Sequence, residues 1–294
     1  MDYTVLGLGA LEQGFIYAIM AIGVFIALRI LDIPDLTCDG SFITGAAVSV
    51  MITLTGHPYL SLLLAILAGG IAGIMTGLMI TKLNVQPLLA GIITMTGLFS
   101  INLIIMDEKP TVSINDKNNI FSFFFDFFSF GRKLDPIQRK LITIPVLFVI
   151  VLIISIALIW FLKTKTGLAL RATGDNEAMV KASSINADAM KILGLALANG
   201  VIALSGAVLS QHQNFADAKA GTGMVVVGIA SIIIGEALFG RQSLLNNLVS
   251  AILGAMIYRI FISLALQFGL PASYFKLLSA FIVVFALLIP LLKS

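Results

Sequence analysis

The sequence predicts an all-α protein that crosses a membrane several times, and three observations support this prediction. Of the 294 residues, 59% are hydrophobic and only 11% are charged, whereas soluble domains carry about 25% charged residues. The mean hydropathy is +1.06. Apolar runs of about 20 residues, the length that a helix needs to cross the hydrocarbon core, recur along the chain. We therefore expect a single transmembrane domain over residues 1–294 in a cell membrane.

Seven apolar runs are long enough to span a bilayer, and two further runs are imperfect. The seven lie at 11–31, 58–81, 87–106, 141–162, 189–211, 245–268 and 273–292. The run 41–55 is short and follows an interrupted stretch around Pro34, and the run 222–240 is punctuated by glycine and contains Glu236. We predict about nine transmembrane helices, with eight or ten also compatible, and expect some of them to be broken.

The residue content argues against several other classes of protein. Cys38 is the only cysteine, so the chain forms no internal disulfide and a zinc–thiolate site is unsupported. The net charge of +3 is small and spread out, which argues against nucleic acid as a partner. Phosphate-loop, His-Glu-x-x-His and Gly-x-Ser-x-Gly motifs are absent from the sequence. His57 and His212 stand alone at span ends, where we interpret them as interface residues. We therefore expect no catalytic residue, metal or cofactor in this chain.

The start of the chain carries no basic region before the first apolar run. Met1, Asp2 and Tyr3 open the sequence, and this is not the charge pattern of a secretory signal peptide. We therefore expect the first span to remain in the mature protein.

A polar island at residues 167–186 separates two apolar spans and is predicted to form a short amphipathic helix. Small apolar contacts come from Leu168, Ala172, Ala178, Ala182 and Ile185, and charge comes from Arg171, Asp175, Glu177 and Lys181. Glycines at 167 and 174 are expected to allow tight turns at its ends. The island is either a surface for a soluble partner or a connector lying in the lipid headgroups. Its alanines favour the first interpretation, because interfacial helices usually carry larger apolar side chains.

The orientation in the membrane does not follow from charge alone. The polar loops 107–140 and 163–188 flank one span, so they lie on opposite sides. The first loop has six lysines and arginines and the second has four, with Lys191 just beyond it. Because these counts nearly tie, the positive-inside rule does not decide which loop is cytoplasmic.

Particular residues of the island and of the span after it resemble a known family. They are Gly167, Arg171, Ala172, Gly174, Asn176, Ala178, Asn186, Gly194, Ala198, Ser205 and Gly206. The glycine-rich stretch 228–240 and, more weakly, the polar break at 34–47 extend the match. The chain resembles the permeases of branched-chain amino-acid and ribose ABC importers, and in particular their single-gene relatives assigned to aromatic amino acids. Loop 107–140 departs from the pattern, because it is longer and richer in phenylalanine.

The resemblance implies a role for the island and a set of partners. The island would be the cytoplasmic coupling segment that docks into an ATP-hydrolysing subunit, through Arg171, Gly174, Asp175, Asn176, Glu177 and Lys181. Loop 107–140 would then be extracytoplasmic. The implied partners are two copies of a cytoplasmic ATP-binding subunit that holds the ATP and magnesium, a second permease copy in a homodimer, a substrate-binding lipoprotein and membrane lipid. The implied substrate is an amino acid such as tryptophan or tyrosine, with branched-chain amino acids, sugars and nucleosides left open.

A gradient-driven secondary carrier of a small solute is the alternative function. Such a carrier would have an inverted repeat with matching broken helices in its two halves. Residues 31–41 and 213–223 are candidates for these breaks, but the first is acidic and the second rich in amides. A carrier also has no need of the island.

Ionisable residues within apolar segments are costly and often functional, so they are candidates for the substrate pathway. Asp35, Thr37, Asp39 and Ser41 cluster around Pro34. They line a pathway or a cytoplasmic gate, or they belong to a loop outside the bilayer. Glu236 lines the pathway or pairs with Arg241, and we favour the pair. Arg259 lies well inside an apolar run and needs a partner or water.

Two further patterns concern packing and the membrane surface. Gly69, Gly73 and Gly77 place small residues on one face of a helix, which suits close helix packing. Residues 121–130 contain seven phenylalanines outside any span. This segment is an anchor at the outer interface or an exposed patch that docks a binding protein, and we favour the anchor.

Overall fold

A computed structural model describes residues 3–114, 117–129 and 135–267, together with residues 274, 277, 279–281 and 284. Its helices are α1 (Tyr3–Phe25, continued by a π-helical segment at Ile26–Ile30), α2 (Thr37–Leu54), α3 (Pro58–Thr81), α4 (Pro87–Ile105), α5 (Ser122–Ser129), α6 (Pro136–Leu162), α7 (Lys165–Asp175), α8 (Glu177–Ala182), α9 (Ala187–Gln213), α10 (Met224–Phe239) and α11 (Leu244–Gln267). Two short strands, β1 (Thr111–Ser113) and β2 (Phe215–Asp217), pair antiparallel.

Among these residues, seven helices are long and apolar enough to cross a membrane, and α10 is a shorter apolar helix. The all-α polytopic class is therefore confirmed. Most of the span expected at 273–292 lies outside the described residues, which include only 274, 277, 279–281 and 284 of it. The short run 41–55 becomes a helix at Thr37–Leu54, and the Asp35 carboxylate, which precedes the helix, accepts a hydrogen bond of 2.8 Å from the amide of its first residue, Thr37.

The bundle has two ends, which we name by their polar segments. At the loop end, β1 and β2 pair, and Lys140 at the start of α6 donates a hydrogen bond of 3.1 Å to Glu12 near the start of α1. At the island end, α7 packs against Ile30, and Lys82 lies 3.9 Å from Asp188 at the start of α9. The island and loop 107–140 therefore lie at opposite ends of the bundle.

The helices divide into a central group and a peripheral group. The shares of the spans buried inside the chain are 78% for α1 and 72% for both α2 and α9, but only 33% for α3 and 28% for α4 and α6. Leu, Ile and Phe side chains cover the exposed faces of the peripheral helices. Because lipid solvates such apolar faces, α1, α2 and α9 form the core of the bundle. The peripheral helices lie between this core and the bilayer and turn their apolar faces to the lipid.

Small residues let the peripheral helix α3 approach the central helix α9 closely. Gly69, Gly73 and Gly77 of α3 face α9, and a methyl group at any of them would overlap or crowd α9 atoms. Backbone contact of this kind replaces the hydrophobic driving force that lipid does not provide.

The chain turns back inside the bundle at 31–36 and again at 218–223. Asp35 contacts Asn199, which is 12 residues after the first residue of α9, or about 18 Å along a helix. The amides of Gly223 and Val225 donate to the Asp39 carboxylate at 2.7 and 2.8 Å. The starts of α2 and α10 therefore meet inside the bundle, and α2 runs to the loop end while α10 runs to the island end.

Candidate functional site: the island and the polar break beneath it

The island folds as parts of two short helices. Thr164 caps α7 by accepting a hydrogen bond of 3.2 Å from the Gly167 amide. Asn176 has extended backbone, with φ −159°, and its side chain accepts a hydrogen bond of 3.0 Å from the Met179 amide. The prediction of one helix is therefore wrong, because Asn176 ends α7 and caps α8.

The island glycines serve packing rather than turns. Gly167 and Gly174 both lie within α7. A methyl group at Gly174 would overlap the carbonyl oxygen of Ile30, and one at Gly167 would overlap that of Phe161. The expected tight turns at these glycines are not found, and α7 instead lies directly on the end of the π-helical segment.

The island presents apolar side chains to its surroundings. Leu170, Thr173 and Val180 are buried and fix the two helices to the bundle. Leu168, Met179 and Ile185 have exposed fractions of 52%, 54% and 37%. The outward side of the island therefore carries apolar side chains among exposed polar ones such as Asp175 and Lys181.

The charges of the island fall into a paired set and an open set. Glu177 accepts from Lys181 at 2.8 Å and from Lys191 at 2.6 Å. Hydrogen bonds from these two lysines hold the pKa of Glu177 below its usual range, and the same contact raises the pKa of Lys181. Within the described part of the chain, Arg171 and Asp175 form no ion pair. These two charges are open to a partner.

The island contacts the segment that leads to the polar break. Gly174 lies on the backbone of Ile30, and Gly194 of α9 lies against the side chains of Leu31 and Leu170. The next residues of the chain are the break at 31–36. A movement of α7 would therefore push on the π-helical end of α1, because rigid packed elements transmit displacement.

Glu236 lies at the island end, away from the other pathway candidates. Its Oε2 accepts from Arg29 at 2.6 Å, and its Oε1 lies 3.4 Å from Nε of Arg241. The favoured Arg241 contact is present. The shorter contact, to Arg29, does not follow from the sequence, because 207 residues separate the pair. This ion pair ties α10 to the π-helical segment.

The other four pathway candidates lie together inside the helical bundle, in α2 and in the turn before it. We call Asp35, Thr37, Asp39, Ser41 and Asn199 the polar cluster; each is buried. Asn199 donates to Asp35 at 2.7 Å and accepts from Ser41 at 2.6 Å. Asp39 accepts from the first amides of α10, where a carboxylate also meets the positive end of the helix dipole.

Several residues that complete these networks are not among the candidates predicted from sequence. Asn199 lies within an apolar span and does not stand out there, although a buried amide needs partners. At the loop end, Oε2 of Glu12 lies 3.1 Å from Nζ of Lys140 and 3.6 Å from Nε2 of His212. A search of the sequence for every amide and carboxylate side chain within apolar runs would find these residues. It would not show which residues they contact.

Arg259 finds a partner on α1. Its guanidinium lies 4.3 Å from the centroid of the Tyr17 ring, which is a cation–π arrangement. Its expected need for a partner is met in this way.

The breaks at 31–36 and 218–223 bear on the carrier alternative. A carrier is expected to have matched broken helices, and the different flanks of these segments argue against it. The structure has a helix start after each break, and Asp39 joins the two starts. Interrupted helices therefore do not distinguish an ABC importer permease from a gradient-driven carrier. The sequence relatives provide the distinction instead.

The sequence has clear relatives among transport proteins. Residues 7–287 match the family described as branched-chain amino acid transport system, permease component. A tyrosine transport system permease protein of Clostridioides difficile is 38% identical over 278 residues, which cover 94% of this chain and 88% of that protein. A ribose import permease protein of Haemophilus influenzae is 26% identical over 281 residues, covering 94% and 82%.

A third relative carries no functional name. It is an uncharacterised protein of Rickettsia prowazekii, 33% identical over 273 residues that cover 92% of each chain. No solved structure gives a significant match. The family and the seven spanning helices make this a multi-pass protein of the inner membrane. The chain belongs to the permease family of branched-chain amino acid and ribose transport systems.

Proposed function

We propose that this chain is the membrane subunit of a binding-protein-dependent ABC importer, and that its island docks onto a cytoplasmic ATP-hydrolysing subunit. The observation that carries the proposal is the island surface: exposed Leu168 and Met179 beside the open charges of Arg171 and Asp175, on helices that are fixed to the bundle. Such a surface can bind through apolar contact and set its register by charge. In this proposal two ATPase subunits bind the islands of two permease copies.

This assignment also proposes an orientation. With the island cytoplasmic, loop 107–140, the two strands and the first residues of α1 are extracytoplasmic. An extracytoplasmic lipoprotein would deliver the solute at the loop end. ATP binding would bring the two ATPases together and press α7 toward Ile30. Ile30 lies five residues before Asp35, the first residue of the polar cluster.

The proposed substrate is an amino acid, with an aromatic one as the first to test. The tyrosine permease relative supports this choice through its higher identity, 38% against 26% for the ribose permease relative. Proteoliposomes containing the permease, its ATPase and its binding protein should take up tyrosine with ATP inside. ATP-dependent uptake of ribose without tyrosine uptake would contradict the proposed substrate.

Co-purification tests the docking itself. The permease is co-expressed with an ABC-type ATPase subunit from the same genome, and the two should elute together. Arg171→Glu with Lys181→Glu should abolish co-elution, whereas Lys109→Glu with Lys117→Glu at the loop end should leave it unchanged. Stable wild-type permease without bound ATPase, combined with uptake that follows an ion gradient, would favour a secondary carrier instead.

A further inference from the structure

The phenylalanine-rich segment forms one wall of a cleft that has two chemically different halves. The apolar half, about 680 Å³, lies between α5 and α6 and is lined by residues including Phe124, Phe128, Pro145 and Val149. The polar half, about 530 Å³, is lined by residues including His57, Asn118, Ser122 and Asp126. Tyr59 lines both halves, so the two adjoin.

Residues 119–128, which include most of α5, turn a different set of side chains toward each half. Positions 119, 122, 123 and 126 face the polar half, and positions 120, 124 and 128 face the apolar half. The first set has the i, i+3, i+4 and i+7 spacing of a helix face and the second the i, i+4 and i+8 spacing, and both sets begin just before α5. Phe121, the residue before α5, stacks on Phe125 of α5 and meets His212 of α9 edge to face, and so holds the start of α5 to the bundle.

The cleft is fixed in place by hydrogen bonds to α9. The Ile120 amide donates to Oε1 of Gln211 at 2.8 Å, and the Asn119 amide group donates to the Gln211 carbonyl oxygen at 3.2 Å. Gln211 is itself fully buried. The segment therefore presents a preformed cleft rather than a loose apolar patch.

The position of the cleft matches the surface of a bilayer. Tyr59 is the second residue of α3, where interfacial aromatic residues are common. The lining of the apolar half on α6 runs from Leu141 to Ile150, about 14 Å along the helix. Since α6 presents an apolar face to lipid, the apolar half leads from the interface into the hydrocarbon.

We propose that this cleft binds a membrane phospholipid with an ethanolamine headgroup. An acyl chain fills the apolar half, and the headgroup occupies the polar half. The Asp126 carboxylate, exposed and without a side-chain partner among the described residues, meets the ammonium group. His57 and the Asn118 amide donate to the phosphate. An anionic headgroup without the ammonium would instead place its charge beside that of Asp126, which is unfavourable.

Native mass spectrometry of the purified chain tests this site. The chain in detergent is given equal amounts of phosphatidylethanolamine and phosphatidylglycerol, and retained lipid is counted. We expect a preference for phosphatidylethanolamine of about threefold, the effect of one exposed ion pair. Asp126→Asn should remove the preference, and Asp107→Asn, also at the loop end, should keep it.

A second pair of variants tests the apolar half. Val149→Trp fills the cleft at a half-exposed position and should reduce retention of both lipids, whereas Ile153→Trp, on the lipid face of the same helix, should not. Equal retention by these two variants, or a headgroup preference that Asp126→Asn leaves unchanged, would overturn the proposal. So would unchanged lipid retention in Val149→Trp with loss of binding to the extracytoplasmic partner, because the cleft would then be a protein docking site.

Discussion

Two polar regions interrupt this apolar chain, and their side chains are used in opposite ways. In the polar cluster, Asp35 and Asn199 are buried and bonded to groups of the same chain. On the island, Arg171 and Asp175 carry charges that no described residue pairs with. The comparison indicates that the cluster holds the starts of α2 and α10 together, and it supports the proposal that the island meets another molecule. Polarity within a membrane protein therefore has to be interpreted together with its bonding.

The largest effect is expected in the polar cluster. Asn199→Leu removes the donor to Asp35 and the acceptor for Ser41, and leaves a buried carboxylate with fewer partners. We expect a loss of about 3 kcal/mol in the free energy of unfolding, measured as the denaturation midpoint in detergent. Gln242→Leu, at an exposed position before α11, is the control and should change little. Equal effects of the two would show that the cluster bonds contribute no special stability.

A smaller loss is expected where α3 meets α9. Gly73→Ala puts a methyl group into the α9 backbone and should cost about 2 kcal/mol of unfolding free energy. Gly70→Ala is a matched control, because its methyl group would find an ordinary distance of 3.6 Å to the Ala196 oxygen. The same midpoint measurement applies. A loss in Gly70→Ala as large as in Gly73→Ala would mean that helix propensity, and not close contact, sets the result.

On the island, substitution should leave stability nearly unchanged. Arg171→Glu lies at a half-buried position without an ion pair among the described residues, so we expect a change within about 0.5 kcal/mol. Binding to the ATPase, in contrast, should fall. Thermal unfolding and co-elution measured on the same preparation separate the two effects. A marked loss of stability would place Arg171 with the structural residues of the cluster.

The smallest effect is a pH dependence at Glu177. Its pKa is lowered in the folded protein by Lys181 and Lys191, so its stabilising contribution is complete above the ordinary pKa of a glutamate. It is lost as pH falls through the lowered value. Glu177→Gln should therefore be slightly less stable than the wild type at neutral pH and match it in acid. Melting curves at both pH values test this, and a constant difference would contradict it.

The spans and the island can be predicted from sequence, because long apolar runs and a sudden cluster of charges are local signals. Features that depend on distant contacts cannot. Asn199 meets Asp35 across 164 residues, and Arg29 meets Glu236 across 207. Asn176 divides the island although neither proline nor glycine marks the position. From sequence, Gly174 predicts a turn. Its actual role depends on the Ile30 carbonyl group that lies against it, and that contact between distant residues leaves no signal in the sequence.

The central claim is that the island is the surface covered by the ATPase, and cysteine protection tests it directly. Met179→Cys places a thiol at an exposed island position, and Phe127→Cys places one at the loop end, with exposed fractions of 54% and 64% in the natural residues. Cys38 is buried and contributes little background. In membranes opened to a polar maleimide, bound ATPase should protect position 179 and leave position 127 reactive. Equal labelling of position 179 with and without bound ATPase would contradict the claim.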